Sequence, residues 1–166
     1  MSVQCAKAAG SRVEADVIDR FDALRYVPES EATWHDAETV ALLAPESSNR
    51  LRFGGIVVIE PGTPVEVKGS QVQTSNADRS TAGRWYVKKS AHRSLLDASG
   101  VYLLVVYTPN RHDHLARIVV PASILDEHLR GRWYDVAGNR SEEEVAQLAW
   151  PHVLDREVVV GGEPRA

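Results

Sequence analysis

The sequence predicts an α/β fold, with a mixed central sheet packed between helices. Three observations carry this. Apolar residues recur at helical spacing near the N-terminus, where Val13, Val17, Phe21 and Leu24 make one stripe. Two β-rich runs then follow, "RLRFGGIVVIE" and "VEVKGSQVQ", joined by "PGTP". Finally a short helical pattern leads into "VYLLVVY", seven apolar or aromatic residues in a row, as in a strand buried on both faces.

The first helix is expected from about Gly10 to Leu24, with Ser11 as N-cap and Glu14 completing a capping box. "RYVPESEATWHDAE" reads as polar and irregular, and "TVALLAP" as a short strand. Pro-Gly favours a tight turn, because proline presets φ and glycine accepts a positive one, so the two β-rich runs are expected to form an antiparallel hairpin. "TSNADRSTAG" reads as a loop. A helix is expected over about 90–98, closed by Gly100. The hairpin's second strand, this helix and "VYLLVVY" make a β-α-β unit, which implies parallel strands and a right-handed crossover. "LARIVVP" reads as a further strand, and "ASILDEHLR" and "SEEEVAQLAW" as helices, the latter with a capping box at Ser141 and Glu144. The 166 residues fit one domain, with a core over about 10–120 and a helical C-terminal extension over about 121–166.

Composition is ordinary for a globular chain, 43% hydrophobic and 25% charged, and no apolar run approaches a membrane span. The N-terminal stretch has no continuous apolar segment and Cys5 is the single cysteine, so a cytoplasmic protein without disulfides is expected. A net charge of −4 argues against a DNA-coating polycation. A local basic face is nonetheless available: Arg79, Arg84, Lys88, Lys89 and Arg93 crowd one segment with a single acid, Asp78. A solvated surface explains that cluster equally simply.

Side chains alternate along a strand, so Glu66 and Lys68 in "PVEVKGS" project from one face while Val65 and Val67 project from the other. A carboxylate beside an ammonium can hold a divalent cation and polarise a phosphate or an attacking water. Acid-x-Lys alone is near chance frequency, and an exposed charge pair accounts for the tripeptide as well. Its place at the end of a hairpin and ahead of a β-α-β unit is what gives it weight.

Together, "GSRVEADVIDRF", "FGGIVVIEPGTPVEVKGSQVQ" and "HRSLLDASGVYLLVVY" resemble the PD-(D/E)XK nuclease superfamily, in particular its archaeal Holliday junction resolvase-like branch. The resemblance implies an αβββαβ restriction-endonuclease-like core with C-terminal helical additions, and phosphodiester hydrolysis of DNA with Mg2+ or Mn2+. It makes Glu66 a metal ligand, sets Lys68 on the scissile phosphate or water, and matches Glu14 to a helix glutamate found in some branches. Gln71 or Gln73 corresponds to an assisting polar residue after the lysine. Arg84, Lys88, Lys89, His92 and Arg93 would line the nucleic-acid backbone, and a homodimer is compatible with the branch.

The family's strand-two aspartate, about a dozen residues before the glutamate, falls here on Gly54 and Gly55. Glu60 could supply the missing ligand, or Asp36 could enter from the preceding segment. Alternatively the site is degenerate, and the fold serves as a module that binds nucleic acid or a partner protein. Elsewhere, "RHDH" at 111–114 and the His35–Asp36 pair have the chemistry of metal ligands, but a hairpin loop and an irregular surface segment explain them as well. Two "RWY" strings, at 84–86 and 132–134, combine aromatics with arginine as base-stacking surfaces do, although most such aromatics pack cores. Walker, dinucleotide-binding and nucleophile-elbow motifs are absent from the sequence.

Overall fold

In a computed structural model, residues 12–42, 58–76, 79–109, 113–136 and 143–160 are described. Helix α1 covers residues 12–19, shorter than the stripe suggested. Its apolar side holds Val13, Val17 and Ile18, all buried. Ser11, and with it the expected cap, lies outside the described residues.

Five strands form the main sheet: β1 (Leu24–Tyr26), β2 (Ala37–Thr39), β3 (Pro64–Gln71), β7 (Val101–Tyr107) and β8 (His114–Pro121), side by side in that order. Strands β3 and β7 run parallel, from Val65 beside Val101 to Gln71 beside Tyr107, and the other neighbours are antiparallel. Helix α2 (Lys89–Asp97) makes the crossover. The order α1-β1-β2-β3-α2-β7 agrees with an αβββαβ core around a mixed central sheet. However, β1 and β2 arise from the stretch expected to be helix end and irregular chain, and further strands over 73–88 stand between β3 and α2.

Two expectations need correction, and a third falls mostly outside the described residues. Among those described, the antiparallel neighbour of β3 is β2, with Ala37 opposite Val65, while residues 51–57 of the expected hairpin lie outside them. The Pro61-Gly62 turn does form, but Thr39 organises it. The Thr39 hydroxyl donates to the Glu60 carbonyl at 2.6 Å, and its backbone carbonyl accepts from Gly62 N–H at 2.7 Å. Gly54 and Gly55 lie outside the described residues. The segment 73–82, read as a loop, is a two-stranded ribbon of β4 (Gln73–Asn76) and β5 (Arg79–Ala82). Finally, the described part of "SEEEVAQLAW", residues 143–150, is not a helix, and Ser141 lies outside the described residues. The described part is strand β10 (Glu144–Ala149), ending in a 3-10 turn over Trp150–His152. Alternation is the physical reason: Ala146, Leu148 and Trp150 are buried on one side, and β6 (Arg84–Lys88) offers a partner edge. With β9 (Tyr134–Asp135) these strands make a second, three-stranded sheet in the order β6-β10-β9. The C-terminal part thus mixes strands with helices α3 (Ala122–Leu129) and α4 (Arg156–Val160).

The main sheet separates two cores, as the unbroken apolar run of β7 requires. Val101, Leu103, Val105 and Tyr107 join Val65, Val67 and α1 on one side. Tyr102, Leu104 and Val106 join Trp85, Val87, Leu95, Leu125 and Leu148 on the other. The ribbon's root is fixed to the second core. Val72 N–H donates to Tyr107 O at 2.9 Å, the Trp150 indole N–H donates to Val72 O at 2.8 Å, and Trp150 N–H donates to Gly83 O at 3.2 Å.

Gly83 allows that closeness, because a Cβ there would stand 1.9 Å from Gln71 O and 2.6 Å from Ser70 Oγ. Gly83→Ala must therefore push β6 away from β3. A loss of about 2 kcal/mol or more is expected in urea denaturation, against less than about 0.5 kcal/mol for an exposed control such as Ser123→Ala.

Candidate active site

The site begins with a gap in hydrogen bonding. Along β3, the backbone groups of Thr63, Val65, Val67 and Gly69 point to the β2 side, and those of the intervening residues point to β7. Strand β2 covers only the first of these, since its pairing stops at Val65. Buried N–H groups need acceptors, so something else must take the next ones. The Asp36 carboxylate accepts from Val67 N–H at 2.9 Å, while Asp36 N–H donates to Val65 O at 3.0 Å. Gly69 N–H is taken by the Glu14 carboxylate, reaching over from α1. Gly69 also keeps that crossing tight, because a Cβ would lie 3.1 Å from the Tyr107 ring and 3.5 Å from Val13. Two acids thus complete an edge that no strand covers among the described residues.

Glu66 and Lys68 project into the same notch, as alternation requires, and their side chains form an ion pair. Glu66 is 7% exposed, and its carboxyl is also hydrogen-bonded to Asp36. Burial, together with the Asp36 charge, pushes the Glu66 carboxyl up to about 7, although Lys68 pulls the other way. Burial likewise raises Glu14, again with Asp36 adding to the shift and Lys68 opposing it. Burial disfavours the Lys68 ammonium, but Glu66, Asp36 and Glu14 outweigh it and hold Lys68 above its ordinary range. Three carboxylates therefore share one ammonium, and burial, with the Asp36 charge adding to it, drives Glu66 and Glu14 toward protonation.

This donor set fits a hard divalent cation, which prefers oxygen ligands and would supply the missing charge. Glu66 and Asp36 touch, and Glu14 enters the notch from α1. Among the described residues, no three histidine, cysteine or acidic side chains surround a single point. As placed, the Lys68 ammonium is paired with Glu66.

Other expected residues lie elsewhere. Glu60 is exposed, and the charges acting on Glu66 come from Lys68 and Asp36 rather than from it. Gln71 ends β3 with its side chain on the Tyr107 hydroxyl, and Gln73 stands exposed on the ribbon. His92 is not on the surface: it is 1% exposed, with Nδ1 3.0 Å from the Tyr102 hydroxyl and Nε2 3.3 Å from Asp126 Oδ1. It thus belongs to the contact between α2, β7 and α3 and cannot touch a nucleic-acid backbone. Arg84 and Arg93 are exposed, whereas Lys88 faces Glu143 at 3.5 Å and Lys89 pairs with Glu144. His114 is turned inward on β8, 3.3 Å from Asp16, and Arg111 and His112 lie outside the described residues. His35 packs against Trp34, with ring centroids 4.1 Å apart.

Asp36 was one of several candidate acids in the sequence, sitting in a stretch that reads as irregular. A three-residue strand next to it has too few residues to show alternation, so the period-2 signal is missing there.

The raised Glu66 carboxyl gives a pH signature in metal-free protein. With its folded value near 7 and its unfolded value at 4.5, the folded state binds the extra proton between them. Stability tied to this group is full below about pH 4.5 and is lost as pH rises through 7. Glu66→Gln, which mimics the protonated acid, is expected to match the wild type near pH 4.5. Above pH 7 it should exceed it, by up to about 3 kcal/mol in chemical denaturation. Equal pH slopes for the two proteins would show that Glu66 ionises as in water.

The family model of the PD-(D/E)XK nuclease superfamily domain matches residues 1–155. No curated protein and no solved structure matches the chain. Among the described residues no helix is long and apolar enough to cross a membrane. With a mixed sheet of αβββαβ order, and Glu66 and Lys68 on its central parallel strand, the chain belongs to the PD-(D/E)XK nuclease superfamily.

Proposed function

We propose that the chain is a divalent-metal-dependent endonuclease acting on DNA, with Asp36, Glu66 and Lys68 at its centre. The observation that supports this most is the Asp36 carboxylate on Val67 N–H, beside Glu66. It offers the second acid that Gly54 and Gly55 cannot. In this reading Asp36 and Glu66 hold Mg2+ or Mn2+, with Glu14 behind them. A bound divalent ion would supply charge neutralisation at the phosphate and a more acidic water.

The remaining work falls to the chain's own groups. The Lys68 ammonium, paired with Glu66 in this structure, would donate hydrogen bonds to a non-bridging phosphate oxygen or orient the attacking water once Glu66 served a cation instead. The rigid strand fixes Glu66 and Lys68 two residues apart, so their relative position costs no reorganisation when the phosphate arrives. Asp36, held by its bond to β3, cannot swing away when the notch fills. Glu14, with its raised carboxyl, is suited to pass a proton to or from water at the back of the site. Arg84 and Arg93, exposed on β6 and α2, are available for backbone phosphates.

Within the superfamily we favour the Holliday junction resolvase-like branch, because a glutamate on the first helix reaches this notch. Cutting both strands of a junction would take two such sites, so a homodimer forms part of this reading.

The test is cleavage of supercoiled, linear, single-stranded and four-way-junction DNA with Mg2+ or Mn2+. Wild-type protein is expected to cut at least one of them. Asp36→Ala, Glu66→Ala and Lys68→Ala should each slow cutting by about a hundredfold or more, whereas Glu60→Ala should leave the rate within about twofold. Failure to cut any substrate with either metal would favour a catalytically silent binding module. Full activity of Asp36→Ala would remove Asp36 from the site.

A further inference from the structure

The two "RWY" strings, separate in sequence, meet in the second sheet, where their tryptophans and tyrosines part company. Trp85 is 1% exposed and its indole N–H donates to Val105 O at 3.1 Å, so it belongs to the core. Trp133 packs on the His92 ring, centroids 5.6 Å apart, with the Lys89 ammonium 5.8 Å from its own centroid. Both tryptophans are thereby accounted for by packing. The tyrosines are not: Tyr86 is 42% and Tyr134 43% exposed.

Register puts these tyrosines on one face. Strand β6 alternates exposed and buried, so Arg84, Tyr86 and Lys88 all point outward. Directly paired residues share a face. Ala149 is paired with Arg84, Gln147 with Tyr86 and Val145 with Lys88, and Tyr134 of β9 is paired with Val145 from the other side. Val145 is 2% exposed and lies in neither core, and its pairing places it on this outer face. Tyr134 stands beside Val145 and Tyr86 beside Gln147, two residues along, on strands two spacings apart, roughly 10 Å across. Burial, then the neighbouring Tyr134 and Glu143, keep the Tyr86 hydroxyl above its ordinary value, which agrees with the two rings being neighbours.

Cations frame this face. The Arg84 guanidinium reaches Gln147 Oε1 at 3.4 Å, and Lys88 stands 3.5 Å from Glu143. An aromatic ring between two cations on one strand suits a polyanion whose flat bases lie beside its charges. Every base has a π face, so stacking of this kind needs no particular sequence. A duplex hides those faces, and a flat sheet cannot enter its grooves as a helix or a ribbon does.

We propose that the outer face of the β6-β10-β9 sheet is a stacking platform for single-stranded nucleic acid. Tyr86 and Tyr134 each take one unpaired base, and Arg84 and Lys88 meet the adjoining phosphates. This deepens the reading of the chain as a nuclease, and it rests on nucleic acid being what the catalytic notch acts on. The platform adds a preference for substrates with an unpaired segment, held on a surface separate from the acids. Lys88 exchanges its carboxylate partner for a phosphate on binding.

The test uses full-length Glu66→Gln protein, which suppresses cutting, and fluorescein-labelled oligo-dT read by anisotropy. Tyr86→Leu and Tyr134→Leu are each expected to raise Kd about tenfold. Tyr86→Phe should stay within about twofold, because it keeps the ring. Arg84→Gln should lower the slope of log Kd against log salt by about one, while the leucine variants leave it unchanged. Thermal melts confirm that each variant is folded; all three positions are exposed enough to tolerate the change. The proposal is overturned if oligo-dT does not bind, if the leucine variants bind as tightly as the parent, or if Phe is as damaging as Leu. Tyrosine-sensitive binding without any cutting by wild-type protein would remove the proposed reaction and keep the platform. Cutting that persists while the leucine variants bind oligo-dT unchanged would do the reverse.

Discussion

The structure turns on the point where β2 leaves β3. Past Val65 the edge of β3 still carries inward-facing N–H groups, and burying them unpaired would cost on the order of 1–3 kcal/mol each. A further strand would have satisfied them with neutral carbonyls. Here the Asp36 and Glu14 carboxylates do so instead, accepting from Val67 and Gly69. The acids that could serve chemistry are thus the ones that finish the sheet. Their positions are set by backbone hydrogen bonds, which are more exacting than side-chain packing.

That choice has an electrostatic consequence. Putting three carboxylates and one ammonium into a partly dry notch leaves negative charge in excess, and burial raises Glu66 and Glu14 accordingly. A site with balanced charge would be more stable alone and would have less affinity for a cation. The excess is the kind of local cost that functional sites carry and the rest of a fold offsets. Two cores, one on each side of a fully buried β7, supply the stability that offsets it here.

The second sheet is attached to this core at the root of the β4-β5 ribbon. Trp150 bonds Val72 and Gly83 together, and the absence of a Cβ at Gly83 lets β6 start directly beside the end of β3. The inner faces of β6 and β10 close the second core, which leaves their outer faces to solvent. The PD-(D/E)XK core and the tyrosine-bearing sheet are therefore tied to each other by hydrogen bonds to the backbone at Val72 and Gly83.

The sequence by itself determined the α/β class, the β-α-β unit around the buried parallel strand "VYLLVVY", and the Glu66–Lys68 pair on one side of β3. Each rests on a local pattern: 3.6-residue spacing, an unbroken apolar run, or period-2 alternation. Only tertiary structure decided which acid accompanies Glu66. Asp36 reaches it through a contact thirty residues distant in the chain, and a three-residue strand carries no readable period. Tertiary contact also made "EVAQLAW" a strand, because the exposed edge of β6 outweighed a weak helical pattern. His92 moved from the expected surface to the interior for the same reason. Its ring finds Tyr102 and Asp126 only when α3 folds back on α2, and nothing adjacent in the sequence announces either partner.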